Sequence, residues 1–158
     1  MTTADCIQSI GIIVAIIGLT ITIFNNRKQL KIFNEQLKLN FFSDYTKRYQ
    51  EIVLNFPENI NQQDFDYRNL SDEIRNKTLR YMRVYFDLCS EEYDLYRAGY
   101  ISDRVWNNWK EGIEFAFSKK AFYDAWNIIK MDTIYYPEFT KWIKTIVKEK
   151  DEIINTKR

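Results

Sequence analysis

Residues Cys6 to Phe24, CIQSIGIIVAIIGLTITIF, form an apolar run of 19 residues without one charged side chain. As a helix rising about 1.5 Å per residue, this run spans roughly 28 Å, close to the hydrocarbon thickness of a bilayer. Length and composition together predict a membrane-crossing helix. Gln8, Ser9, Thr20 and Thr22 lie towards its ends, where interfacial water or the helix's own carbonyls can satisfy a polar side chain. Two other readings fit an apolar N-terminal segment: a cleaved secretory signal and the core helix of a soluble protein. A signal wants basic residues before the run and a small-x-small site after it, whereas MTTAD precedes and NNRKQLK follows. A lipoprotein signal places its cysteine after the run, and here Cys6 comes first.

Charge at the flanks sets the expected orientation. Only Asp5 is charged before the run, while Arg27, Lys28, Lys31 and Lys38 follow it with Glu35 as the one acid among them. Because positive charge stays inside, the N-terminus is expected outside and the rest of the chain in the cytoplasm. Arg27, Lys28, Lys31 and Lys38 are also candidate contacts to lipid headgroups, at about 1 kcal/mol for each that reaches an anionic surface. Within the run, Gly11, Ala15 and Gly18 follow at steps of four and three. They share one helix face, where small side chains let a second helix approach, and are candidates for self-association.

The remaining chain predicts one compact domain. Its sequence is rich in aromatic residues, 16% of the 158, and has only 4 Gly and 2 Pro to interrupt helices. Few turn residues and many large apolar side chains point to an all-α fold with a real core. Leu30, Phe33, Leu37, Phe41, Tyr45, Tyr49, Ile52 and Phe56 recur at steps of three or four, the stripe of a packed juxtamembrane helix over 26–56. With no Gly or Pro between Gly18 and Pro57, the anchor is expected to run into it almost without a break. Residues 57–70 lose the period and read as a surface loop. Ser71 with Asp72 and Glu73 starts a helix, and Gly99 stops it. Its inward face is Ile74, Thr78, Met82, Tyr85, Cys89 and Tyr93, with Arg80, Arg83, Asp87 and Glu91 outward. Ser102 and Asp103 open a helix bearing Val105, Trp106, Trp109, Ile113 and Phe117. Ser118 is placed as the cap of a helix with Phe122, Trp126 and Ile129, and Pro137 in the first turn of one with Phe139, Trp142, Ile143 and Ile146. The helical domain is bounded at 71–153, and the tail KEKDEIINTKR is expected to fray. The predicted architecture is an outward N-terminus and single transmembrane helix over 1–25, then a bundle of four or five helices around aromatic side chains.

The chemistry open to this chain is narrow. It has no histidine, which removes Ser-His-Asp and Cys-His catalysis, imidazole ligation of metals and imidazole pH sensing. Cys6 and Cys89 fall on opposite sides of the expected membrane, so both are read as free thiols. No phosphate loop, dinucleotide fingerprint, metalloprotease helix or nucleophile elbow is present, and no catalytic, cofactor or metal site is assigned. Asp87, Glu91 and Asp94 share a helix face and suit a hard cation such as magnesium, but the ordinary reading is a solvated face with Arg83 paired to Asp87. Aromatics interleave with Lys110, Lys119, Lys120, Lys130, Lys141 and Lys144, as single-strand binding requires. A formal net charge of +1 and nearby acids count against nucleic acid as a partner. Tyr135 and Tyr136 are less committed to the core.

The stretch YFDLCSEEYDLYRAGYISDRVWNNWKEGI, Tyr85 to Ile113, resembles uncharacterised bacterial proteins that join an N-terminal membrane helix to a small helical domain. The resemblance implies that architecture and carries over no activity, cofactor or site residue. The expected function is a membrane-tethered cytoplasmic module that recruits or senses, its partners the bilayer and a protein or a second copy of itself. One alternative is an oligomeric membrane effector, a toxin or phage-defence component, assembling through Gly11, Ala15 and Gly18. Another is a carboxylate-dependent metalloenzyme.

Overall fold

The structure, a computed structural model, describes the backbone of residues 3–156 and the side chains of residues 4, 8 and 10–147. Among the described residues every regular element is a helix: α1 (Thr3–Val53), α2 (Asp72–Arg97), α3 (Asp103–Phe117), α4 (Lys120–Ile129) and α5 (Pro137–Thr156), with a short 3-10 turn at Tyr67–Asn69. The all-α, aromatic-rich architecture is as the composition requires. Two compact units divide the chain at residues 1–41 and 42–158, so α1 contributes to both.

In the first unit α1 contains a segment near the N-terminus long and apolar enough to cross a membrane. Every large apolar side chain from Ile10 to Phe24 is between 46% and 73% exposed. The hydroxyls of Thr20 and Thr22 donate to the carbonyls of Ile16 and Gly18, at 2.8 and 2.9 Å, so the helix satisfies its own polar side chains. Leu30, Phe33, Leu37 and Phe41 are exposed as well. Of the expected stripe, Tyr45 and Ile52 are buried and Phe56 is half-buried, while Tyr49 is exposed. The periodicity shows which face is apolar and says nothing of whether a neighbour covers it.

The second unit is built on α2, whose amphipathic sequence has most of its inward face buried as predicted. Thr78, Met82, Tyr85 and Cys89 are buried, while Ile74 is exposed at the first turn and Tyr93 is half-buried. Phe86 and Leu88 also reach the core because other helices pack on α2 from more than one side. At its start the Ser71 hydroxyl accepts the Ile74 N–H. At its end Gly99 takes φ 80°, the Tyr100 N–H donates to the Leu95 carbonyl, and the Gly99 N–H donates to the Tyr96 carbonyl. That double bond pattern needs a left-handed residue at position 99. Nothing lies within 4 Å of where a Gly99 Cβ would stand, so the cost of a side chain is purely conformational. Gly99→Ala is expected to lower stability by about 1 kcal/mol, read as a shift in the denaturation midpoint; an unchanged midpoint would show that the helix end can adopt another turn.

Aromatic side chains fill the interior. Phe86 meets Trp126 edge-on at 5.2 Å between centroids and Phe117 at 5.4 Å, and Phe139 continues the network from Trp126 at 5.9 Å to Trp142 at 5.9 Å. Tyr93 stacks on Trp142 and Tyr96 on Trp106, at 5.4 and 4.8 Å. Offset and edge contacts of this kind add to the area they bury.

Three local expectations are corrected. The 57–70 loop is not merely superficial: Ile60, Phe65 and Tyr67 are buried, and the Tyr67 hydroxyl donates to the Ala121 carbonyl at 3.1 Å. Ser118 does not cap α4. It closes α3 in a helical conformation with its hydroxyl donating to Phe115, and Lys119 takes the cap position. Arg83 pairs not with Asp87 but with Asp132, at 2.8 Å, and with the Thr133 hydroxyl, because the turn after α4 brings a carboxylate within reach. The described helical backbone of α5 extends through Thr156, in a stretch, KEKDEIIN, without Gly or Pro.

Candidate functional site

Most of the sequence-derived candidates lie on the segment of α1 from Gly11 to Lys38. Gly11, Ala15 and Gly18 are exposed on α1, and a Cβ built on either glycine meets nothing within 4 Å. Arg27, Lys28, Lys31 and Lys38 are exposed on the same helix, and no ion pair engages them among the described residues.

The carboxylates singled out on α2 separate. Asp94 is exposed, Asp87 is half-buried, and Glu91 accepts from the Arg48 guanidinium at 2.9 Å and the Tyr45 hydroxyl at 3.3 Å. Among the described residues no cluster of three metal-ligating side chains occurs. Burial pushes the Asp87 carboxyl above its ordinary range, against the pull of Arg83. Asp87 and Glu91 instead line a shallow depression of about 440 Å³ with Ser90 and Tyr135, and the buried Ser90 hydroxyl has no hydrogen-bond partner among the described residues. Tyr135 packs against Trp126 at 5.0 Å, and Tyr136 is exposed.

A more enclosed cavity of about 260 Å³ lies between the C-terminal turns of α1, the middle of α2 and α3. Each helix brings aromatic residues to it at helical spacing: Tyr45 and Tyr49 from α1, Tyr85 from α2 and Trp109 from α3. The Tyr45 and Trp109 rings sit 5.7 Å apart, and Phe42 stacks on Trp109 from the other side. Leu88, Ile113 and the buried thiol of Cys89 complete an apolar surface. Burial raises the Cys89 thiol well above its usual range, which keeps it protonated and unreactive. Cys89 is therefore a core thiol, as its place on the apolar face implied; the side chain of Cys6 lies outside the described residues.

Into this apolar surface α2 sends one acid. Glu92 is 6% exposed, and among the described residues no donor hydrogen-bonds to it and no cation pairs with it. Burial, reinforced by Glu91 and opposed by Arg48, raises its carboxyl to about 8. An isolated ionised carboxylate in such surroundings is costly, so the neutral acid dominates at neutral pH. Sequence reading missed Glu92 because Glu91 and Glu92 look like one solvated pair. The available signal was position: Tyr85, Leu88 and Glu92 fall at steps of three and four, on a single face.

The lysines interleaved with aromatics are largely neutralised. Lys110 pairs with Glu114, Lys120 with Asp124 and Lys141 with Glu138. Comparison with known protein families, with curated proteins and with solved structures finds no match to this chain.

Proposed function

We propose that the chain is a membrane-tethered module whose helical domain, residues 42–158, recruits or senses on the cytoplasmic side. One observation carries the reading: the exposed apolar surface of α1 from Ile10 to Phe24. Its ten large apolar side chains, at roughly 1 to 2 kcal/mol each, would cost on the order of 10 to 20 kcal/mol in water. A domain's entire folding stability is about 5 to 15 kcal/mol, so this surface needs a cover, and hydrocarbon fits a charge-free helix of bilayer length. The basic residues Arg27, Lys28, Lys31 and Lys38 then belong at the cytoplasmic headgroups. The absence of histidine, together with the lack of any group of three metal-ligating side chains among the described residues, favours binding over catalysis.

The test is fractionation combined with site-directed labelling of the full chain in a Cys6→Ser background. The protein is expected to stay with membranes through alkaline carbonate extraction. A cysteine replacing Thr2 should react with an impermeant maleimide in intact cells, and one replacing Lys144 only after lysis. Release by carbonate would remove the tether, and the opposite labelling pattern would reverse the orientation. The assembling-effector alternative uses the same helix but depends on Gly11, Ala15 and Gly18; replacing both glycines by Ile leaves the tether intact and abolishes only assembly.

A further inference from the structure

We propose that the cavity between α1, α2 and α3 is a binding site for a small free organic cation, an alkylammonium or quaternary ammonium compound. The inference concerns residues 42–158 alone and does not depend on the tether. Three observations combine. Four aromatic residues, Tyr45, Tyr49, Tyr85 and Trp109, line one cavity, and aromatic faces attract cations. Glu92 lines the same space nine-tenths buried and without a hydrogen bond or counter-ion among the described residues. The nearest cation, Arg48, is already committed: it holds Glu91 at 2.9 Å and lies 5.0 Å from the centre of the Tyr45 ring. Glu92 is thus a buried acid without a hydrogen bond or counter-ion among the described residues, and the cavity is where a partner would sit.

Size and charge narrow the ligand. About 260 Å³ holds roughly eight waters' worth of liquid volume, enough for a compact amine and too little for a nucleotide. Glu92 is the one charged side chain among the residues that line the cavity, and no cationic side chain lines it to hold a phosphate, so a free cation fits better than a zwitterionic lipid headgroup.

Binding should also be linked to protons. The groups facing Glu92 are Arg48 and Tyr49 from α1 and Tyr85, Cys89 and Glu91 from α2; the α3 residues lining the cavity, Asn108, Trp109, Gly112 and Ile113, carry no charge. Burial raises the Tyr49 and Tyr85 hydroxyls and the Cys89 thiol above their ordinary ranges, whereas the Glu92 carboxyl stands at about 8. A bound cation requires its carboxylate, so affinity is expected to fall as pH drops below about 8, approaching tenfold per pH unit.

The experiment is calorimetric titration of the full chain in a maltoside detergent with choline and with its uncharged isostere 3,3-dimethyl-1-butanol. Choline is expected to bind at least tenfold more tightly at pH 8.5. Glu92→Gln, which keeps the shape, should abolish that preference while leaving the thermal transition cooperative, and Trp109→Leu should weaken choline alone. Equal binding of the two probes, binding of neither, or a choline affinity unmoved by Glu92→Gln overturns the proposal. Glycerophosphocholine binding more tightly than choline would overturn the assignment to a free cation and give the site to a lipid headgroup.

Discussion

In the wild-type chain, raising the pH from 4.5 to 8 is expected to remove on the order of 5 kcal/mol of folding stability, a loss that Glu92→Gln abolishes. The carboxyl of Glu92 stands at about 8 in the folded protein against an ordinary value of 4.5. Between those two values the folded state holds a proton that the unfolded state has released. Stability from this group is therefore complete at low pH, declines through the window and is gone above about 8. At about 1.4 kcal/mol per unit, roughly 3 kcal/mol of the loss falls between pH 6 and 8. Other carboxyls titrate too: Asp132 and Glu138 are held below their usual range by Arg83 and Lys141 and act in the opposite sense at lower pH. The difference between wild type and Glu92→Gln isolates the one group. All four tryptophans, Trp106, Trp109, Trp126 and Trp142, lie in residues 42–158, so fluorescence during chemical denaturation at pH 6 and pH 9 reports this unit without interference from the apolar segment. Parallel pH profiles for the two proteins would mean that water or a partner reaches the carboxyl and that it titrates normally.

Truncation of Phe86 to Ala is the second large effect. Phe86 is fully buried and contacts the Tyr85, Phe117 and Trp126 rings, linking α2 to α3 and α4. Loss of a buried phenyl ring leaves a cavity that the surrounding aromatics cannot collapse to fill, at a cost of about 3 to 5 kcal/mol. That is a large share of a small domain's stability. Ile134→Ala is the control, because Ile134 is fully exposed on the segment before α5 and its truncation should fall within about 0.5 kcal/mol of zero. The same fluorescence-monitored denaturation measures both. A Phe86→Ala cost near that of Ile134→Ala would mean that the aromatic network repacks freely.

Much of this architecture was legible because helical periodicity is local. Steps of three and four marked the buried faces of α3, α4 and α5 through Ile113 and Phe117, Phe122 and Trp126, and Phe139 and Ile143. Ser71 and Gly99 were readable as the ends of α2 because a cap hydroxyl and a left-handed residue act within a few positions of themselves. Long-range partners left no such trace. Nothing near Arg83 in sequence announces Asp132, 49 positions away, and nothing near Arg48 announces Glu91, 43 positions away.

What the sequence by itself determined is therefore the all-α class, the charge-free apolar run from Cys6 to Phe24 and the exclusion of imidazole chemistry, since each follows from residue type and short-range spacing. Only the tertiary structure decided that the stripe on α1 is buried at Tyr45 and Ile52 but exposed at Leu30, Phe33, Leu37, Phe41 and Tyr49, and that Ile60, Phe65 and Tyr67 pin the loop to the core. It also decided that, of two adjacent glutamates on α2, Glu91 finds Arg48 while Glu92 turns into an aromatic cavity without a partner. The physical reason is common to all three: burial and pairing depend on which segments meet in space, and a helix's own sequence encodes the face it offers but not the surface that meets it.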